Sequence, residues 1–444
     1  MAELSKAMVA HGHEVNVLTI APIASHPVYK FDFQEMRHVF AKVNIHRVAM
    51  GPVNRLTSRM LRVFARSEKD QDERTENYGA SRPPTGAQRL SIVERLYNAR
   101  KLVQPFLIPD ANIDWIPLAL LEARRMLNKE RYDIVASFGY PHSTHAVAYL
   151  ALRGKDISWV MMHAEGWGTS PGIEQLPRWS RRLHRILDCK FSHAASRIVV
   201  CGCAEGLLTR IPEAYGIDPG KLWLAQFAFA DSAGLESPRV PQRIGLHLVF
   251  TGTFYPETGQ DPRELFEAMK SCGRGDISLS ILGRPNHLFE DYVKAQGIPH
   301  VEFLGWSSRD EALRHQRSAK VLLVYGHGGG QQIPTKLYEY FGACRPILCV
   351  GLDNEDLTAR LVLRHNRGMV VPNLRERIKN ALSSLAMMDA NGTLDDTFDL
   401  AELSEYTPAR SGQQLMRAVL GEAPSSERGH MPDFSFSPPN AKKL

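Results

Sequence analysis

Four glycines, a lysine and a carboxylate between positions 326 and 339 carry the clearest chemistry in the sequence. Gly326, Gly328, Gly329 and Gly330 follow the apolar run Val321–Tyr325, so a buried strand ends in a loop without side-chain bulk. In such a loop backbone N–H groups can approach a ligand closely. Pro334 suits the first position of a helix, with Lys336 in its first turn. A helix start behind a glycine loop is an anion site, because its free N–H groups and its dipole face outward. Glu339 is the single carboxylate in the apolar run Leu337–Phe341, placed to accept from hydroxyl groups. Together these predict a phosphate cradle with a hydroxyl clamp. The same pattern also fits a doubly wound protein that binds no nucleotide, with Glu339 on a solvated face.

A second group is His163-Ala164-Glu165-Gly166-Trp167. It follows the predicted strand Ile157–Met162 and so stands at a strand's carboxyl end, where ligands bind in open α/β sheets. A histidine there is either a structural residue or a catalytic one.

Positioning these groups needs parallel strands alternating with helices. The sequence predicts strands at Val15–Thr19, Tyr132–Ser137, Ile157–Met162, Leu246–Phe250, Ile277–Leu282, Val301–Trp306, Val321–Tyr325, Ile347–Val350 and Gly368–Pro372. Helices are expected at 1–10, 117–129 and 406–420 and after the glycine loop, where Gly342–Pro346 should break the chain. A length of 444 residues exceeds one ordinary core and suits two domains. The predicted division is 1–230, with a mobile insertion at about 51–107, then a polar linker at 230–241 and a second domain at 242–400. A terminal helix at 404–421 and a disordered tail at 422–444, rich in Ser, Pro and Gly, complete it.

Composition narrows the class. With 43% hydrophobic and 23% charged residues the chain reads as a globular protein, and no run of about eighteen apolar residues exists to cross a membrane. The six cysteines show no metal spacing and fit reduced thiols in a cytoplasm. A net charge of +6 permits attraction to an anionic membrane or a phosphorylated substrate and demands neither. Arginines recur beside apolar residues at helical spacing in 55–66 and 89–104. They are either ordinary surface helices or a basic surface lying on an anionic membrane.

The run IPTKLYEYFGACRPILCVG at 333–351 resembles the corresponding segment of retaining glycosyltransferases of the GT-B fold, family 4. The resemblance covers about 1–50 and 109–420 and is strongest over 246–372. It implies two Rossmann-like domains facing each other across a cleft, the second binding a nucleotide-diphosphate sugar. It implies that Glu339 holds the ribose hydroxyls, with Gly252, Arg284, Gly329, Gly330, Gln331, Lys336 and Leu337 also on the donor. Relatives have a second glutamate where this chain has Gln331, and basic residues where it has Thr253 and Thr258. Diphosphate neutralisation then falls to backbone N–H groups, Lys336 and Arg284. His163 matches a histidine near the transferred sugar, and Glu165 follows it where relatives carry an acid; these two are the expected catalytic residues.

The activity so implied moves a sugar to an acceptor hydroxyl with retention, in cell-surface polysaccharide or glycolipid synthesis. The acceptor is lipid-linked or a polysaccharide. No cofactor, metal or nucleic acid is expected, and the setting is the cytoplasm, on the inner face of the plasma membrane. Two other readings remain open: a sugar-nucleotide epimerase on the same fold, and a non-catalytic protein that binds a nucleotide or a partner. The sequence begins inside the helix that follows the usual first strand and glycine loop. The amino-terminal sheet is therefore expected to lack a central strand, and the protein to start about thirty residues upstream.

Overall fold

The computed structural model describes residues 2–21, 42–52, 54, 103–229, 245–256, 259–273, 275–284, 286–326 and 333–422. The interdomain linker at 230–241 lies outside these, as do nearly all of the insertion, both basic arginine segments and the tail. The chain forms two compact units. One comprises Met1–Val200, Leu208–Leu224 and Leu415–Leu444; the other comprises Cys201–Leu207 and Ala225–Gln414.

The first unit contains α1 (Ala2–Ala10), β1 (Asn16–Ile20), β2 (Asn44–Val48), α2 (Ile116–Lys129), β3 (Ile134–Gly139), α3 (Ser143–Ala151), β4 (Ser158–His163), α4 (Arg178–Ala194), β5 (Arg197–Cys201), α5 (Leu207–Tyr215) and β6 (Leu222–Ala225). Among the described residues its strands form two sheets, β1-β2 and β3-β4-β5-β6, and every pairing given a register is parallel. Burial reflects this division. Val160, Met161 and Met162 of β4 are wholly buried between neighbouring strands, whereas all five residues of β1 are half-buried. Leu18, Ile20 and Val48 pack against Trp115 and Ala119 at the start of α2, which also meets Val147 of α3.

The second unit holds β7 (Leu246–Thr251), α6 (Arg263–Cys272), β8 (Ile277–Leu282), α7 (His287–Ala295), β9 (Val301–Gly305), α8 (Arg309–Ser318), β10 (Val321–Tyr325), α9 (Thr335–Ala343), β11 (Ile347–Val350), α10 (Leu357–Arg364), β12 (Gly368–Val371), α11 (Arg375–Ala390), α12 (Leu394–Thr397) and the start of α13 (Pro408–Leu420). Its six strands run parallel in the order β12-β11-β10-β7-β8-β9. That is the doubly wound order 3-2-1-4-5-6 read from the other side, and it places the reversal of winding between β7 and β10. β7, β10 and β11 are buried at every position, as strands covered by helices on both faces must be. β9 alternates half-buried with exposed residues because it is an edge.

Predicted and observed strands agree in kind and differ at their ends by up to two residues, except that the strand which the family resemblance put at His193–Val200 starts at Arg197, because His193 and Ala194 end α4. The break expected at Gly342–Pro346 falls within that stretch. α9 continues through Gly342, whose missing Cβ leaves room for the Phe229 ring, and ends where Cys344 turns left-handed at φ 54°. Pro334 stands at the position before the first turn of α9 instead of inside it, and its side chain makes no capping bond. The last helix starts at Pro408; Tyr406, expected within it, is buried in a preceding short turn. Strands β2 and β6 and the long helices α4 and α11 were not among the expected elements.

Candidate active site

In the second unit, reversal of winding between β7 and β10 opens a crevice at the carboxyl ends of those strands. Glycines shape it. The Gly252 N–H donates to the Leu282 carbonyl at 2.8 Å, and a Cβ at Gly283 would overlap the Gly252 carbonyl oxygen, so the loops after β7 and β8 can run together only with glycine at 283. Gly326 leaves β10 where any side chain would overlap Leu352. Arg284 follows β8 at this same edge and is exposed. Gly329, Gly330 and Gln331 lie outside the described residues.

α9 starts beyond that loop with no side chain capping it, so its first amides are free of a competing acceptor from the N-cap. Lys336 and Glu339 lie one turn apart and bond to each other, Nζ donating to Oε2 at 2.9 Å. Gln316 of α8 donates through Nε2 to the same Oε2 at 3.2 Å and to Oγ1 of Thr251 at 2.9 Å. The Thr251 N–H donates to the Tyr340 hydroxyl at 3.0 Å. Thus α8, α9 and the end of β7 are tied by one polar network, and the carboxylate is held from one side. Among the described residues Oε1 takes no hydrogen bond, and the Glu339 side chain stays 21% exposed. Leu337 is wholly buried and its N–H donates to the Pro334 carbonyl, so it anchors the helix start from below.

In the first unit, His163 ends β4 beside Gly139 of β3 and Val200 of β5. Its ring is 1% exposed and faces His142 and His145 at the start of α3. Burial pushes His163 down to about 4, the backbone at Glu165 opposing part of the shift. Burial, and then the neighbouring histidines His163 and His184, push His142 down to about 3. His145 is pushed well down by burial, then by His163 and His142. All three are neutral near pH 7. Asp110 fixes the start of α3, accepting from the Ser143 N–H at 2.7 Å and the Ser143 hydroxyl at 2.6 Å. Trp167 stacks on His142 at 5.0 Å and donates to Nδ1 of His184 at 2.9 Å. Glu165 reaches the surface, yet the protein around it raises its carboxyl by desolvation. The histidine pair 142 and 145 was missed in the sequence, where its spacing at a helix start was the available signal.

A further feature of this unit was also missed. Arg178, Arg181, Arg182, Arg185 and Lys190 on α4 join Arg210 of α5 around a groove of about 890 Å³, whose lining includes one carboxylate, Glu213. Glu174 pairs with Arg181 and Arg185, while Arg178 and Arg182 make no ion pair among the described residues. Trp179, Leu183 and Ile186 recur at helical spacing on the same helix and are 44–49% exposed. Phe106 covers the Trp179 ring at 5.1 Å. No helix among the described residues is long and apolar enough to cross a membrane.

Residues 1–222 match the sequence profile of a family described as the glycosyl transferase 4-like domain. Among solved structures the chain is similar to Anabaena HepE, determined in complex with UDP and glucose. The TM-score is 0.58 at 12% identity, covering 95% of this chain and 96% of that one. It is also similar to WaaG, a glycosyltransferase involved in lipopolysaccharide biosynthesis, with a TM-score of 0.51 at 14% identity and 94% of each chain covered. Identity this low shows the shared fold alone, which is GT-B, with two Rossmann-like domains. No curated protein sequence matches the chain.

Proposed function

This chain belongs to the glycosyl transferase 4-like family, and we propose that it moves a sugar from a nucleotide-diphosphate sugar to an acceptor hydroxyl with retained configuration. The observation that carries the reading is the uncapped start of α9 at the reversal of winding in the second sheet, with Lys336 and Glu339 side by side in its first turns. Negative charge builds on the leaving diphosphate during transfer. Helix and loop N–H groups, with Lys336 and Arg284 at the same sheet edge, are suited to take it up. Glu339 accepts from the ribose hydroxyls through its open Oε1. The family resemblance assigns Gln331, which is outside the described residues, to the donor sugar. HepE was determined with UDP and glucose, which favours a uridine nucleotide as the first donor to try.

The acceptor is an anionic or lipid-linked saccharide in cell-surface polysaccharide or glycolipid synthesis. Its support is the basic groove along α4 and the apolar ridge beside it, the pairing expected of a surface that meets phosphate headgroups at the inner face of the plasma membrane. His163 and Glu165 are assigned to the sugar-transfer side of the first unit. His163 is 1% exposed, so in this reading it supports that surface from beneath.

The test is calorimetry of UDP, GDP and ADP, and of their sugars, followed by turnover with phosphate-bearing acceptors and proton NMR of the product anomer. Selective affinity for one nucleotide and a retained anomer are expected. An inverted anomer overturns retention; no measurable affinity for any nucleotide overturns the reading as a whole.

A further inference from the structure

Among the described residues of the first unit, Nδ1 of His142 and Nε2 of His145 are buried without a hydrogen-bond partner, and the buried His163 ring meets only the backbone at Glu165. A buried polar atom left unpaired costs about 1–3 kcal/mol, and native proteins keep few of them without an occupant. Here they converge. One ligand nitrogen from each ring lies within 4.8 Å of the others. The His145 ring is centred 5.2 Å from His163 and 5.9 Å from His142. Nε2 of His145 and Nδ1 of His142 meet over the Cα of Gly139, the one position of β3 where a Cβ would fill the space between them.

The surroundings suit ligands more than a packed apolar core. His145 turns its other nitrogen, Nδ1, to Oγ of Ser137 at 2.8 Å, and Ser137 is itself held by the Trp159 indole N–H at 2.9 Å. With the ring proton on Nδ1, Nε2 presents a bare lone pair. Ser137 Oγ can accept from an Nδ1–H or donate to a bare Nδ1, and a metal at Nε2 selects the first, the way outer partners orient metal-binding histidines. Trp167 stacked on His142 holds that ring in plane. Among the described residues no thiolate or carboxylate belongs to the cluster, so the donor set is three neutral imidazoles, which favours a borderline ion and leaves hard cations such as Mg²⁺ unserved.

We propose that His142, His145 and His163 bind one divalent first-row transition ion, Zn²⁺ or its surrogate Co²⁺, clamping the turn between β3 and α3 to the end of β4. The sequence alone had suggested no metal. Zinc binds imidazole nitrogens at about 2.0–2.1 Å, which sets tetrahedral ligands about 3.4 Å apart. The rings therefore draw in by about an ångström on binding, a side-chain rotation about the space kept open by Gly139. Three protein ligands leave a fourth position for water. The site lies wholly in the first unit.

The experiment uses the full chain, stripped with a chelator and titrated with Co²⁺ and then Zn²⁺. One equivalent of Co²⁺ with the intense visible absorption of a tetrahedral ion, displaced by one equivalent of Zn²⁺, is expected. The His142→Ala/His145→Ala double variant should bind about a hundredfold more weakly or worse, and Ser137→Ala about ten- to hundredfold more weakly. X-ray absorption at the zinc edge of the unaltered protein keeps the test independent of how the variants fold. It should show a nitrogen and oxygen shell with three imidazoles. No stoichiometric binding, a shell containing sulfur, or equal affinity in the folded double variant overturns the proposal.

Discussion

Lys336 and Glu339 are bonded to each other across one turn of α9, Nζ to Oε2 at 2.9 Å. The cation and the carboxylate expected at opposite ends of a nucleotide thus hold each other in place in the free protein. A hydrogen bond to a charged group contributes about 1.5–3 kcal/mol. Glu339→Gln should therefore weaken binding of the preferred nucleotide at least tenfold, because the amide keeps the shape and loses the charge. Calorimetry at fixed ionic strength reads it directly; unchanged affinity removes Glu339 from the ribose.

Asp110 is the keystone of the start of α3. It is 7% exposed and also accepts from the Asn112 N–H at 2.8 Å. Asp110→Ala should cost about 2–4 kcal/mol in urea denaturation, the sum of a lost cap and unpaired buried donors. Asp218 caps an exposed turn through the Gly220 N–H alone, and Asp218→Ala should cost under about 1 kcal/mol. Equal losses would mean that burial of the cap is irrelevant.

Asp188 gives a pH signature. Burial raises its carboxyl from the ordinary 3.8 to about 6, against hydrogen bonds from Tyr215 and the Gly168 N–H. In that window the folded protein holds the proton more tightly than the unfolded chain, so this group's contribution falls as pH rises. Asn does not titrate. The stability of Asp188→Asn minus that of the unaltered protein should grow by up to about 1.4 kcal/mol per pH unit between about pH 4 and 6 and level off above. The buried histidines act in the opposite sense at overlapping pH and cancel in the difference. A difference flat across that window refutes the shift.

Gly139→Ala should destabilise the first unit. The new methyl would sit 2.5 Å from Nε2 of His145 and 2.8 Å from Nδ1 of His142. Overpacking of this kind costs about 1–3 kcal/mol. A melting temperature unchanged from the parent would show that the rings have room to retreat.

The groove along α4 should act on the acceptor and not on the donor. Arg178→Glu with Arg182→Glu should raise the acceptor KM several-fold at low salt, with the difference shrinking as salt is added. Nucleotide affinity should not move. A matching loss of donor affinity would point to misfolding instead.

The sequence by itself determined the alternation of strands and helices, because parallel strands buried on both faces must be apolar throughout, as Val321–Tyr325 and Ile347–Val350 are. The glycine exits from β7, β8 and β10 and the helix carrying Lys336 and Glu339 were legible too, each a local signal within a few residues of a strand's end. Long-range partners were not legible. Gln316 reaches Glu339 from 23 residues away and Thr251 from 65, and nothing in either neighbourhood marks the pairing. His163 was recognised by its place after a strand, but only the parallel register of β3 and β4 brings it beside His142 and His145. Only tertiary burial removes the water that would keep those rings ordinary histidines. The cations of α4 were readable as letters and not as a site, because a charged helix face becomes a groove only when α5 closes its other wall.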